Sequence, residues 1–394
     1  MSQKLINRSP DLQKLQAEGY EVTIIGGTFL LISSVPYLNA QGEIMLGTLV
    51  SKLTLAGDKT APVDDHVAYF IGTQPHNEDG SVIQAIYHSA EAVQLHEHLK
   101  ADLTFSNKPK DRMYVDYYEK MTSYISHISS QAQLKNPDIT AKTFKPIIAK
   151  DDPESVFNYY DTNSSRAEIG ILSKNFEGQI IAIIGLGGTG SYVLDQVAKT
   201  PVNEIHLFDA DLFLQHNAFR GPGAPSIEEL ELIPKKVHHL SGIYSKMHKY
   251  ISPHDFNITE ENLDVLNGMT FVFICIDKGA IKKKIINHLV GKSIPFIDVG
   301  IGVDLIDDKL RGSVRTTLYT DGDPDYLRNW ISFSDTGNDE YDQNIQIAEL
   351  NSLNAALAII KWKKFLAFYH DLIKEKNSSY DIDVNTLFNN ETIT

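Results

Sequence analysis

The sequence predicts an α/β protein: a mainly parallel sheet flanked by helices, preceded by a smaller α+β domain. Three observations carry this expectation. From about residue 151, apolar runs of strand length alternate with helical patterns, the texture of a parallel sheet with helices on its faces. Within that region one apolar run passes directly into a glycine-rich turn and then into a helical pattern. Before about residue 140 the texture is different, with runs rich in Val, Ile, Leu and Thr broken by Gly-Gly, Pro and Asn-Ala-Gln-Gly signals, as expected of mostly antiparallel pairing. The expected division is residues 1–140 and 151–394.

Composition narrows the function classes. A chain of 394 residues has room for two cores, and an apolar content of 42% is ordinary for a globular protein. The net charge of -15 argues against broad contact with a phosphate backbone, which needs clustered Lys and Arg, but leaves room for a small, locally basic nucleotide pocket. A single cysteine excludes an intramolecular disulfide and any CxxC zinc site, which suits a reducing compartment. No signal pattern opens the chain, and no apolar run approaches the roughly 18–20 residues of a membrane span, so a cytoplasmic protein is expected.

In the first part, "YEVTIIGGTFLLISSVPYL", "GEIMLGTLVSKLTL" and "DHVAYFIGTQP" read as strands. "SAEAVQLHEHL" and "DYYEKMTSYISHISSQAQL" read as helices, and "KNPDITAKTFKPI" as a linker. His88, His96 and His98 do not share one helical face, and His66 and His76 flank a strand and a Pro turn, so neither group reads as a metal site. A docking platform for a protein partner is the expected role of this domain. Near the end, "NIQIAELNSLNAALAIIKWKKF" places Ile347, Leu350, Leu353, Leu357 and Ile360 at helical spacing, as expected of a packed helix in the core or at a subunit contact.

The strongest signal is "IIAIIGLGGTGSYVLDQVAK". An apolar strand runs into Gly185, Gly187, Gly188 and Gly190, and a helix begins at once. Glycines suit a tight turn that a phosphate must approach, and the following helix N-terminus presents free N–H groups to the anion. The next strand, "EIHLFDAD", ends in Asp209, where an acid can hydrogen-bond a ribose. This arrangement is Rossmann-like. A dinucleotide would need little more than the loop and one acid. Here Asp211, Asn217, Arg220, Lys235 and Lys236 follow, a set of cations and a second acid that suits a triphosphate with a metal ion.

In this order (GLGGTG at 185–190, DAD at 209–211, Asn217 and Arg220, the Lys235 region, and "FVFICIDKG" ending its strand before Asp277), the chain resembles the ThiF/MoeB and ubiquitin-activating-enzyme superfamily. The likeness spans roughly residues 155–370 and is closest to activating enzymes of bacterial ubiquitin-like conjugation systems that carry an extra N-terminal domain. The resemblance implies a ThiF-type adenylation domain that uses ATP and Mg²⁺ to adenylate the C-terminal carboxylate of a ubiquitin-like protein, as a homodimer and with a separate conjugating enzyme as a further partner. It also implies roles for single residues. Asp209 would bind the ribose, Asn217, Arg220 and Lys235 the phosphates, with Lys236 as the alternative to Lys235, and Asp277 the Mg²⁺. Arg166, in "NSSRAEIGIL", would reach the partner subunit's ATP. The N-terminal domain is left as a docking or degenerate conjugating-enzyme-like module, without the cysteine that an active one needs.

Family members that form a thioester carry a cysteine in a crossover segment, which should fall here near Tyr319 to Ile345 and contains none. Three fates of the activated acyl group stay open: transfer to a separate protein's thiol or amine, an ester on Ser332, Ser334 or Thr336, or release as in peptide-modifying relatives. A NAD-dependent oxidoreductase and a non-catalytic scaffold are the alternatives from other classes. Cys275 is expected to pack within its strand rather than to react.

Overall fold

The computed structural model describes residues 2–149, 152–167, 169–322, 324–333 and 345–390. The chain divides into two units, one of Met1–Ile147 with Asp161–Glu168 and one of Ile148–Tyr160 with Ile169–Thr394.

In the first unit, helices α1 (Ser2–Ile6) and α2 (Pro10–Ala17) precede a six-stranded sheet paired antiparallel throughout. Its strands, in sheet order, are β1 (Glu21–Ile25), β2 (Phe29–Leu38), β3 (Ile44–Lys52), β6 (Val67–Ile71), β10 (Leu103–Ser106) and β7 (Tyr87–Ser89). Two ribbons accompany it, β4 (Leu55–Ala56) with β5 (Lys59–Thr60) and β8 (Val93–His96) with β9 (Leu99–Ala101). Helix α3 (Tyr117–Lys135) places Tyr117, Met121, Tyr124, Ile125 and Ile128 on one face, and these pack with Leu30, Ile32, Tyr37, Phe70 and Phe105 of the sheet. Asp116 starts the helix by accepting the Glu119 N–H at 2.8 Å. Helix α4 (Thr162–Arg166) closes this unit.

Two local expectations fail here. "SAEAVQLHEHL" is not helical; it spans the end of β7, then β8 and the start of β9. Val93 and Leu95 alternate with exposed Gln94, and Leu95 packs against Phe29, Leu31, Val50 and Leu99, so the period is two. The segment expected to link the domains instead returns to the first unit, with Tyr20 bridging Lys142 and the Thr143 N–H donating to Gly19 O at 3.0 Å.

The second unit opens with α5 (Gly170–Ser173) and continues as β11 (Ile180–Ile184), α6 (Gly188–Val197), β12 (Glu204–Phe208), α7 (Gln215–Ala218), α8 (Ile227–Glu231), α9 (Lys236–Tyr244), β13 (Ile251–His254), β14 (Phe271–Ile274), α10 (Gly279–Gly291), β15 (Phe296–Ile306), β16 (Lys309–Tyr319), α11 (Ala348–Phe365), β17 (Asn377–Asp381) and β18 (Thr386–Asn390). The sheet order is β13-β12-β11-β14-β15-β16-β17-β18. The first five strands are parallel and the last three join antiparallel. This is the Rossmann-like α/β domain that the strand–helix alternation predicts. Strands β11 and β14 are apolar on both faces because helices cover both. Ile181, Ile183, Phe271 and Phe273 pack with residues of α6 and α11, whereas Ile184, Val272 and Ile274 pack with Ile285, Ile286 and Leu289 of α10.

The face that α11 turns inward also differs from expectation. Leu350 is buried as expected, but the rest of the inward face includes Asn351, Asn354, Ala355, Ala358, Ile359 and Trp362, whereas Leu353 and Leu357 are half-buried and Ile360 is exposed. Small side chains at 355 and 358 let the helix lie close to its neighbours, so the larger Leu and Ile stripe sits to one side.

Chain order places the site. From β11 the chain moves to β12 and β13 on one side, then crosses to β14 and β15 on the other. Such a switch point opens a crevice at the carboxyl ends of the strands, where open α/β sheets bind ligands. The glycine loop leaves β11 there, and Asp277 follows β14.

Candidate functional site

Each glycine of the loop meets a different constraint. Gly185 has φ +87°, a left-handed conformation, and a Cβ there would lie 2.7 Å from the Cys275 carbonyl oxygen. At Gly188 a Cβ would fall 1.9 Å from Asn351 Nδ2, and at Gly190 it would fall 1.9 Å from the Gly185 carbonyl oxygen. Gly187 is the contrast. A Cβ there would have nothing nearer than Gln346 Oε1 at 4.0 Å. Three glycines therefore make the turn and the packing, and the fourth leaves the backbone open at the start of α6, where helix N–H groups favour an anion.

Asp209, at the end of β12, is 6% exposed and steadies the loop. Its Oδ2 accepts the Leu186 N–H at 2.7 Å and its Oδ1 accepts the Asp211 N–H at 2.8 Å. A carboxylate has about four acceptor positions, and these two bonds fill half of them. Asp211 is exposed, and its ion pair with Lys236, Nζ to Oδ2 at 2.7 Å, holds it below the usual carboxylate range. Lys236 is buried at the start of α9 and lies 3.7 Å from Asp209 as well. Lys235 donates to Ala210 O at 2.5 Å, between the two aspartates, and pairs with Asp255 at 3.2 Å. Of the two lysines, Lys236 is the one paired with Asp209 and Asp211.

Asn217 is buried and shapes the turn that carries Arg220. Its Oδ1 accepts the Leu214 N–H at 2.8 Å, and its carbonyl accepts the N–H groups of Arg220 and Gly221 at 3.2 and 3.1 Å. Arg220 is half-buried, and its Nε is buried without a hydrogen-bond partner. Burial pulls the guanidinium below its ordinary pKa, against the opposing pull of Asp277 and Asp211. A buried cationic donor without a hydrogen-bond partner is costly, and the charges of Asp277 and Asp211 offset part of that cost.

Asn351 is a residue that sequence reasoning missed. It accepts from Thr189 Oγ1 at 3.0 Å and donates to Arg220 O at 3.2 Å, tying the first turn of α6 to the arginine segment. The signal was a polar residue on the inward face of α11, visible only once that face is known. Asp277 stands exposed beyond β14. Arg166 ends α4, and its side chain lies outside the described residues. Ser332 is exposed; Ser334 and Thr336 lie outside the described residues. Among the described residues no three His, Cys, Asp or Glu side chains group as a metal site. A bound Mg²⁺ would accordingly take one or two carboxylates and complete its shell with phosphate oxygens and water, its common habit at nucleotides.

Residues 172–380 match the ThiF family. The chain belongs to the ThiF family. Residues 10–162 match a domain of unknown function, DUF6791. No curated protein matches in sequence. Among solved structures, this ThiF-family chain is similar to PaaA (15% identity, 58% of this chain and 80% of that one, TM-score 0.46). It is similar to E. coli MccB with ATP (16% identity, 59% and 72%, TM-score 0.46). It is also similar to the microcin C7 biosynthetic enzyme MccB with N-formylated MccA (15% identity, 78% and 95%, TM-score 0.49). Among the described residues no helix is long and apolar enough to cross a membrane.

Cys275 is half-buried, packed among the residues between β14 and α6, and its N–H donates to Ile184 O at 2.8 Å. Desolvation, aided by the nearby Asp298 carboxylate, pushes the thiol well above its ordinary pKa. Alkylation of the folded protein by iodoacetamide at pH 8 is therefore expected to run at least about a hundredfold slower than that of the urea-unfolded chain. Equal rates would show an accessible thiolate.

Proposed function

We propose that the second unit binds ATP with Mg²⁺ and transfers AMP to the C-terminal carboxylate of a ubiquitin-like protein, releasing pyrophosphate. The observation that carries this reading is the open backbone at Gly187 together with Arg220, whose segment Asn351 ties to the first turn of α6 and whose Nε is buried and unpartnered, with Asp211 and Asp277 within its field. Asp209 would accept a ribose hydroxyl on a remaining lone pair. The Asn217 amide, Arg220 and Lys236 would face the phosphates, with Lys236 favoured over Lys235 by its pairing with Asp209 and Asp211. Asp277 would hold the Mg²⁺, which neutralises phosphate charge.

The chemistry asks for cations rather than a base. A carboxylate is already ionised at pH 7, so its oxygen can attack the α-phosphorus without losing a proton. The bond from that phosphorus to the bridging oxygen breaks, and the electron pair leaves with pyrophosphate. Charge grows on the phosphate oxygens, where Arg220 and Lys236 stabilise it in a site that is already desolvated. The mixed anhydride then meets an acceptor outside this chain. The first unit would dock the partner. A homodimer is supported by the exposed Phe219, Ile227 and Leu232 around the Arg220 segment, which a second copy would cover, and Arg166 would serve the partner subunit's ATP.

A nicotinamide reading would leave Arg220 and Lys236 without work. The test is ATP–pyrophosphate exchange with ubiquitin-like proteins ending in glycine. Wild type is expected to exchange, and Asp277→Ala to lose about 10²-fold or more. No exchange with any carboxylate substrate, together with tight NAD binding, would sink the reading.

A further inference from the structure

We propose that the buried Lys282–Asp298–Arg315 network is a positioning device that holds Asp277 in the geometry needed for metal-bound nucleotide. The inference rests on the ATP reading above but concerns residues that lie outside the site itself. Asp298, fully buried in β15, pairs with two cations: Lys282 Nζ lies 3.2 Å from Oδ1 and Arg315 Nη2 lies 2.5 Å from Oδ2. Lys282 is buried and sits in the first turn of α10, the helix that begins directly after Asp277 and Lys278. Its N–H donates to Lys278 O at 3.1 Å, the opening bond of that helix. In the sheet register Asp298 lies beside Ile274, the last residue of β14 and three residues before Asp277. The Asp277 segment is therefore held at both ends, by β14 before it and by the Lys282 ion pair after it.

The network continues outward. Arg315 also donates to Thr317 Oγ1, which donates in turn to Asn377 Oδ1 at 2.7 Å on β17. Gly300 admits the arginine, since a Cβ at that position would lie 2.9 Å from Arg315 Nη2. Stability alone is a poor reason for this arrangement. Buried ion pairs repay their desolvation badly, and apolar side chains of similar volume would pack as well or better. What a fixed charge network adds is a single position for the turn it anchors, here the turn that carries Asp277.

The experiment is calorimetric titration of ATP into the full chain with Mg²⁺ and with EDTA, beside a thermal melt. In wild type Mg²⁺ is expected to tighten binding. In Lys282→Met, ATP affinity in EDTA should stay within about twofold of wild type, while the gain on adding Mg²⁺ falls by about fivefold or more. Lys282→Arg should restore most of that gain. In an Asp277→Ala background, Lys282→Met should change nothing further, because it acts through that aspartate. Gly300→Ala, which displaces the arginine without removing any charge, supplies the same test should Lys282→Met fail to fold. The proposal is overturned if a folded Lys282→Met keeps the full Mg²⁺ gain, if affinities with and without Mg²⁺ fall together, or if its effect persists without Asp277. A wild type that binds no ATP at all would instead remove the nucleotide reading, before any variant is compared.

Discussion

Arg220→Ala is expected to lower ATP–pyrophosphate exchange by about 10²–10³-fold while leaving the melting temperature unchanged or raised. The two halves of this expectation have one cause. The guanidinium is half-buried with its Nε unpartnered, and burial pulls its pKa down despite Asp277 and Asp211 nearby. It is held at a cost to the fold. Alanine removes that cost, and Asn217 and Asn351 still organise the segment through backbone groups that the substitution leaves in place. The same alanine removes the group on which developing phosphate charge would fall. A loss of exchange that tracks a loss of folding in melts and circular dichroism would refute the argument, because it would make Arg220 a structural residue.

The second large effect separates two glycines three residues apart. In Gly190→Ala the new methyl carbon would lie 1.9 Å from the Gly185 carbonyl oxygen and 3.2 Å from Cys275 Cβ. Both the loop and the start of α6 must then move, and backbone cannot yield as a flexible side chain does. A destabilisation of about 2–4 kcal/mol is expected, with loss of nucleotide binding. Gly187→Ala should behave differently, because the added methyl meets nothing nearer than 4.0 Å. That variant is expected to melt as wild type and still lose ATP, since the methyl would occupy the face that the phosphates need. Denaturant unfolding and calorimetry on the two variants decide the matter. Equal destabilisation in both would mean that Gly187 is also a packing glycine.

Legibility of the site followed how local its determinants are. Strand, glycine loop, helix and the acid at the end of the next strand are consecutive in the chain, and their residue types are dictated by backbone geometry at each position. They could be read directly. The lysine was ambiguous between 235 and 236 because one residue turns a side chain by about 100° at the start of a helix. In the fold Lys236 pairs with Asp209 and Asp211, whereas Lys235 pairs with Asp255 and donates to Ala210 O. "SAEAVQLHEHL" misled because a short mixed segment fits either period, and pairing across β8 and β9 outweighed its helical spacing.

By itself the sequence determined the two-part organisation, the mainly parallel sheet, and the glycine loop with Asp209 and Asp277 after strand ends, because strand and helix periodicities and turn chemistry are local properties. Tertiary structure alone decided which face of α11 turns inward, that Asn351 joins α6 to Arg220, and that Lys282, Asp298 and Arg315 share one buried network. Those residues stand up to about 160 positions apart. Only the packing of strands and helices brings them within hydrogen-bond range, and no local pattern encodes such distances.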